Sequence, residues 1–218
     1  MVKQGLTEMV FILDRSGSME GLESDTIGGY NAMLAKQQKE PGEAVVTTVL
    51  FDDQYELLHD RINLRGVAQI TDKEYYVRGT TALLDAVGKT INKIGNAQKH
   101  TDEAERAERV VVVITTDGME NASREFSEDK VRRMIEHQKR KYGWEFIFLG
   151  ANIDAIGTAA RFGIAENRAV NYNADSEGTS LNFEVISETM SCVRACRPIA
   201  ENWKDRIEAD FQKRGGRK

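Results

Sequence analysis

Apolar residues in this chain follow two patterns: short unbroken runs, and stripes at helical spacing. The runs are Met9–Leu13, Val110–Ile114 and, from Trp144, Phe146–Leu149, with Val45–Phe51 a β-branched strand interrupted only by Thr47 and Thr48. A run without polar alternation predicts a strand buried on both faces. The stripes lie between the runs. Ile27, Tyr30 and Leu34 mark a helix over about 25–39, with Asp25 as N-cap and Pro41-Gly42 as its stop. Leu83, Val87, Ile91 and Ile94 mark a second helix; Val131, Met134, Ile135 and Gln138 mark a third, capped by Ser127 and ended by Gly143. A short helix is expected over 151–162 and a weak strand over 169–172. A long helix follows over 176–197, with Ile186, Met190 and Val193 on one face and Pro198 closing it. Residues 55–64 are more polar, follow the tight turn Asp52-Asp53-Gln54, and read as an antiparallel edge strand. Residues 65–77 are weakly patterned. Trp203, Ile207 and Phe211 recur every fourth residue, the stripe of a terminal helix that is either docked, as expected, or left to bind a partner. Strands alternating with helices imply an α/β domain, its sheet largely parallel and covered on both faces.

Composition narrows this picture without redirecting it. The 218 residues are 40% hydrophobic and 30% charged, ordinary for one globular domain, with no repeat, low-complexity tract or linker. The apolar runs are too short to span a bilayer, and the N-terminal residues contain no signal-peptide core. Cys192 and Cys196 are the only cysteines, four apart on a predicted helix, where a disulfide is awkward. Reduced thiols and a cytoplasmic protein are expected. A net charge of −5 removes the electrostatic case for nucleic acid. The basic end, Lys213 to Lys218, reads as a frayed, solvated tail.

The chemistry collects where runs end. Met9–Leu13 runs into Asp14, and Ser16 and Ser18 follow at alternate positions. Val110–Ile114 ends in Thr115-Thr116-Asp117-Gly118, a second acid at a strand's carboxyl end with a glycine for a sharp turn. In open α/β sheets that edge is where sites are built. Carboxylates and hydroxyls are hard oxygen donors, suited to a magnesium-like cation. Thr80 and Thr81 precede the second helix, where a threonine either caps the helix or offers its hydroxyl to the same ion. Asp52 and Asp53 are acids in a hairpin turn, a frequent place for them.

Three stretches together resemble the metal-ion-dependent adhesion site (MIDAS) of the von Willebrand factor A family: Asp14-Arg-Ser-Gly-Ser-Met19, Gly79-Thr-Thr-Ala-Leu-Leu-Asp-Ala86 and Thr116-Asp-Gly-Met-Glu-Asn121. The likeness covers Glu8 to Arg197 and looks like a stand-alone intracellular bacterial member. It implies a Rossmann-like three-layer sandwich, with a mostly parallel sheet of about six strands and one antiparallel edge strand. The domain would occupy 1–197, with a helical extension and basic tail over 198–218. Carried onto this chain, Ser16 and Ser18 bind the cation directly, Asp14 and Asp117 hold it directly or through water, and Thr81 completes the shell. Gly79-Thr80 stands where the family often has Gly-Gly, which leaves Thr80 as the alternative to Thr81. Mg²⁺ is the implied ion, with Mn²⁺ or Ca²⁺ able to substitute, and a partner protein's Asp or Glu would fill its open position. Arg15, Met19 and Glu120 are expected around the mouth.

Two functions follow. One is a metal-dependent protein-binding adaptor, of the kind that in bacteria resembles partners of ATPases, chelatases or stress-response systems. The other is a Mg²⁺-dependent phosphoryl-transfer or hydrolytic enzyme, since acids holding a cation also serve that chemistry. The sequence weighs against the enzyme. Ser16 occupies the position where a second acid would serve as general acid or base. No phosphate-cradling Gly-x-x-x-x-Gly-Lys loop is present, and His59, His100 and His137 fall in elements away from the site.

Overall fold

The computed structural model describes residues 3–215. Six strands form one sheet in the order β3-β2-β1-β4-β5-β6. They are β1 (Lys3–Asp14), β2 (Glu43–Phe51), β3 (Tyr55–Asn63), β4 (Ala107–Thr116), β5 (Glu145–Gly150) and β6 (Ala169–Asn171). Every pairing is parallel except β2 with the edge strand β3. The unbroken runs are central because both faces of each strand are covered. Met9, Phe11 and Leu13 enter one core and Val10 and Ile12 the other, and β4 divides Val111 and Val113 from Val110, Val112 and Ile114 in the same way.

Helices α1 (Glu23–Lys39), α5 (Ser176–Arg194) and α6 (Asp205–Lys213) cover the first face. Helices α2 (Leu83–His100), α3 (Glu128–Tyr142) and α4 (Ala155–Arg161) cover the second. The chain leaves β1 toward β2 and β3, then returns to lay β4 against the other side of β1. That reversal opens a crevice at the carboxyl ends of β1 and β4, the place where α/β sheets bind ligands.

Local expectations hold for α3, where Ser127 accepts from the Lys130 N–H at 3.3 Å and Gly143 closes the helix at φ 66°. Others need correction. Asp25 is not the N-cap of α1: a 3-10 turn over Gly17–Met19 leads straight into the helix, which starts at Glu23 behind Leu22. Asp25 sits in the first turn and accepts from Ser176 Oγ at 2.7 Å. Helix α4 begins at Ala155 rather than 151, capped by Asp154 on the Gly157 N–H at 2.9 Å. Helix α5 stops at Arg194, short of Pro198, with Cys196 in the left-handed region just beyond. Neither Thr80 nor Thr81 caps α2, whose N-cap position falls on Ala82.

The terminal helix is docked, since Ile199, Trp203 and Ile207 belong to the core of the first face. Trp203 Nε1 donates to the Asn167 carbonyl at 2.8 Å. The start of the basic tail is held, not frayed. Arg214 pairs with Asp175 at 2.5 Å and with Asp210 one turn earlier, because α6 ends beside the N-cap of α5. Residues 216–218 lie outside the described chain. Cys192 is half-buried, Cys196 is exposed, and both are free thiols.

Candidate metal centre

Asp14 emerges at the end of β1 and is fully buried. Its Oδ1 accepts the Ser16 N–H at 2.7 Å and its Oδ2 the Thr116 hydroxyl at 2.5 Å, while Tyr75 donates its hydroxyl to the Asp14 carbonyl at 2.5 Å. Burial pushes the Asp14 carboxyl up from its ordinary pKa, and the donors from Thr116 and Ser16 pull it back down. The Asp14–Ser16 bond folds the chain into the tight 3-10 turn that brings Ser16 Oγ within 3.0 Å of Ser18 Oγ.

Thr81 arrives from the other side. Gly79, at φ 66°, makes the turn before it, and the Gly79 carbonyl accepts the Gly17 N–H at 3.1 Å, which joins the two loops. Thr81 Oγ1 donates to Ser16 Oγ at 2.9 Å. Three hydroxyls therefore converge, on Ser16, Ser18 and Thr81. Thr80 is exposed and lines a separate polar cavity with Lys89 and Asp53.

Asp117 closes the arrangement from the end of β4. It is buried, and neither carboxylate oxygen has a protein hydrogen-bond partner of good geometry. Burial pushes its pKa up to about 6; the nearby Ser18 hydroxyl favours the charged form and the Asp14 carboxylate opposes it. Gly118 follows. A Cβ built there would lie 2.7 Å from Thr81 Oγ1, 2.8 Å from Ser18 Oγ and 3.5 Å from Ser16 Oγ. The residue after Asp117 must be small because the hydroxyls point at that space.

This donor set fits a hard divalent cation. An unpartnered buried carboxylate faces a second one, and three neutral hydroxyls converge beside them. Among the described residues no group of three or more His, Cys, Asp or Glu could hold a metal, so hydroxyls carry most of this site.

The structure thus brings Asp14, Ser16, Ser18, Thr81 and Asp117 together at one sheet edge. The residues expected around the mouth behave differently. Arg15 is fully buried, bonded to Asp52 at 3.2 Å, to Glu56 at 2.7 Å and to the Glu74 carbonyl at 3.1 Å. Asp52 also takes Arg78 at 2.6 Å, and its backbone carbonyl takes the Ala82 N–H at 2.8 Å, so this acid of the hairpin turn locks both loops in place. Met19 is buried, whereas Met119 is 72% exposed beside Gly118. Glu120 caps α2, accepting the Leu84 N–H at 2.9 Å and the Ser123 N–H at 2.8 Å.

Further residues that sequence patterning does not single out stitch the Asp117 loop to α2. Asn121 Oδ1 accepts the Thr81 N–H at 2.9 Å, and the Thr81 carbonyl accepts the Asn121 N–H at 3.0 Å. Asp85 accepts the Arg124, Glu125 and Phe126 N–H groups, each at 2.9 Å, which holds its pKa below the usual carboxylate value despite the opposing cost of burial. The sequence signal for these is faint: polar residues in the first turn of a helix and in a glycine-led loop.

No protein-family model matches the sequence, and no curated protein matches it either. Solved structures do match the fold. A von Willebrand factor type A protein from Catenulispora acidiphila is 13% identical with TM-score 0.59, over 85% of this chain and 42% of its own. Manganese-loaded TRAP protein from Plasmodium vivax is 16% identical with TM-score 0.56, over 84% of this chain and 74% of its own. Proximal thread matrix protein 1 from the mussel byssus, with a zinc-occupied MIDAS motif, is 14% identical with TM-score 0.54, over 88% of this chain and 47% of its own. The chain therefore spans less than half the length of two of these. At such identities the likeness is one of fold, and that fold is the von Willebrand factor A fold. Among the described residues no helix is long and apolar enough to cross a membrane.

Proposed function

We propose that this von Willebrand factor A fold is a divalent-cation-dependent protein-binding module whose partner contributes an aspartate or glutamate. One observation carries the reading: the hydroxyls of Ser16, Ser18 and Thr81 converge beside the unpartnered, buried carboxylate of Asp117. Ser16, Ser18 and Thr81 would hold the ion through their hydroxyls, Asp14 and Asp117 directly or through water, and Asp14, tied to Ser16 and Thr116, also orients the serine turn. Mg²⁺ is the natural occupant for oxygen donors of this kind, with Mn²⁺ as substitute, as in the manganese-loaded neighbour. When bound, the ion supplies a Lewis-acidic position for a partner's carboxylate. Neutral hydroxyls leave that position electropositive, which an all-carboxylate cage would not.

The histidines support binding over catalysis. His59 lies in β3, its Nδ1 2.9 Å from Thr48 Oγ1, His100 ends α2 and His137 lies within α3, so none of the three imidazoles sits among the residues of the site. The test is capture of partners from a cell extract with Mg²⁺ against EDTA, using the native protein and Asp14→Ala. Partners held only by the native protein with metal support the reading. Equal capture by the variant or in EDTA refutes it, and Mg²⁺-dependent phosphatase turnover lost in Asp14→Ala would replace it with the enzyme reading.

A further inference from the structure

Beneath the metal loops, α1 and α5 meet the end of β1 around a small enclosed cavity. Its lining includes Leu13, Asp14, Met19, Thr26, Thr179 and Asn182. The space open to the centre of a water molecule is about 10 Å³, close to the roughly 10–15 Å³ that one water occupies on that measure.

Besides Asp14 and Tyr172, three of the lining side chains are polar and more than nine-tenths buried: Thr26 from α1, and Thr179 and Asn182 from α5. Thr179 Oγ1 and both polar atoms of the Asn182 amide have no hydrogen-bond partner in the protein, and Thr26 Oγ1, beside the Tyr75 hydroxyl, has none of good geometry. Native interiors rarely leave such groups unmet, and several around one cavity even more rarely. The two helices do not solve this between themselves, although they are bridged nearby by Ser176 and Asp25.

We infer that this cavity is a built site for one ordered water, bonded by Thr26, Thr179 and Asn182. A water donates two hydrogen bonds and accepts two, so it can donate to Asn182 Oδ1 and accept from both threonine hydroxyls. A monovalent cation suits the site less well. Three neutral oxygens would welcome it, but the Asn182 amide also carries an unpartnered NH₂, which a cation repels. The water pins the first turns of α5 to α1 directly behind Asp14, so the strand end that carries the first acid rests on a hydrogen-bonded floor. This inference stands on packing alone and survives whatever binds in front.

A high-resolution crystal structure tests it first. The expected result is one density peak, 2.7–3.2 Å from Thr26 Oγ1, Thr179 Oγ1 and Asn182 Oδ1. No peak, or one with contacts near 2.4 Å as a cation makes, overturns it. Thermal unfolding of Thr26→Val, Asn182→Leu and the double variant gives a second reading. If one water joins the two helices, the first substitution expels it, and the double variant loses clearly less in Tm than the two single losses combined. Strict additivity overturns the shared water.

Discussion

Gly118→Ala removes no ligand, yet it occupies the space on which the ligands converge. Its Cβ would sit 2.7 Å from Thr81 Oγ1 and 2.8 Å from Ser18 Oγ, some 0.6–0.7 Å inside the 3.4 Å of ordinary contact. Gly118 has no left-handed φ, so alanine costs nothing in the backbone. The strain falls on two hydroxyls, which must rotate out of the way at about 0.5–1.5 kcal/mol each. The free protein should therefore lose about 1–3 kcal/mol, or roughly 2–12 °C in Tm, and keep its fold. The effect on metal is larger. Disturbing groups that merely support a metal site already costs 10–100-fold in affinity. Turning two donors away should cost at least about 100-fold, close to 2.8 kcal/mol. Mn²⁺ titration followed by electron paramagnetic resonance measures this directly, and thermal unfolding measures it through linkage. Mn²⁺ at about 100 times its Kd should stabilise the native protein by about 2.7 kcal/mol, and the variant by almost nothing. A Gly118→Ala protein that binds Mn²⁺ as tightly as the native one would show that Ser18 and Thr81 do not share a metal shell.

Other outcomes follow from the same geometry. Thr81→Val should lower Mn²⁺ affinity by about 10-fold or more while Thr80→Val leaves it unchanged, because only Thr81 Oγ1 reaches Ser16; the reverse order, measured by the same titration, would move the site by one residue. Asp85→Asn should destabilise by about 2 kcal/mol, since a neutral amide oxygen is a weaker acceptor for the N–H groups of Arg124, Glu125 and Phe126. The folded pKa of Asp85 lies below its ordinary 3.8, so its contribution is complete above that pH and fades as the pH falls further. Urea unfolding between pH 3 and 7 should show the native protein losing its advantage over Asp85→Asn only at the acid end.

Much of this molecule is legible along the chain. The runs ending in Asp14 and Asp117 specify strands covered on both faces, because any exposed position among Val10, Ile12, Val112 and Ile114 would waste apolar surface. Their parallel arrangement follows from the intervening helices, and parallel strands put both acids at one edge. Alternate spacing in Ser16-x-Ser18 carries two hydroxyls to the same side of a tight turn. These are local or near-local constraints, and local reasoning finds them.

What the chain alone does not reveal is decided by partners distant in sequence. Arg15 reads as a residue at the mouth of the site, and tertiary structure buries it because Asp52 and Glu56 arrive from the neighbouring hairpin to neutralise it. Asp25 reads as an N-cap, but the 3-10 turn before it extends the helix, and the carboxylate goes to Ser176 instead. Glu120, Asn121 and Asp85 look like ordinary polar loop and helix residues until the β4 loop and the start of α2 lie side by side. Thr26, Thr179 and Asn182 show no pattern at all, since the cavity between them exists only when α1 packs on α5. The sequence by itself determined which side chains could ligate an ion and which strands would carry them. Only the tertiary structure decided that Thr81 rather than Thr80 meets Ser16, because a helix start is placed by the hydrogen bonds of its neighbours, and those neighbours come from three other segments of the chain.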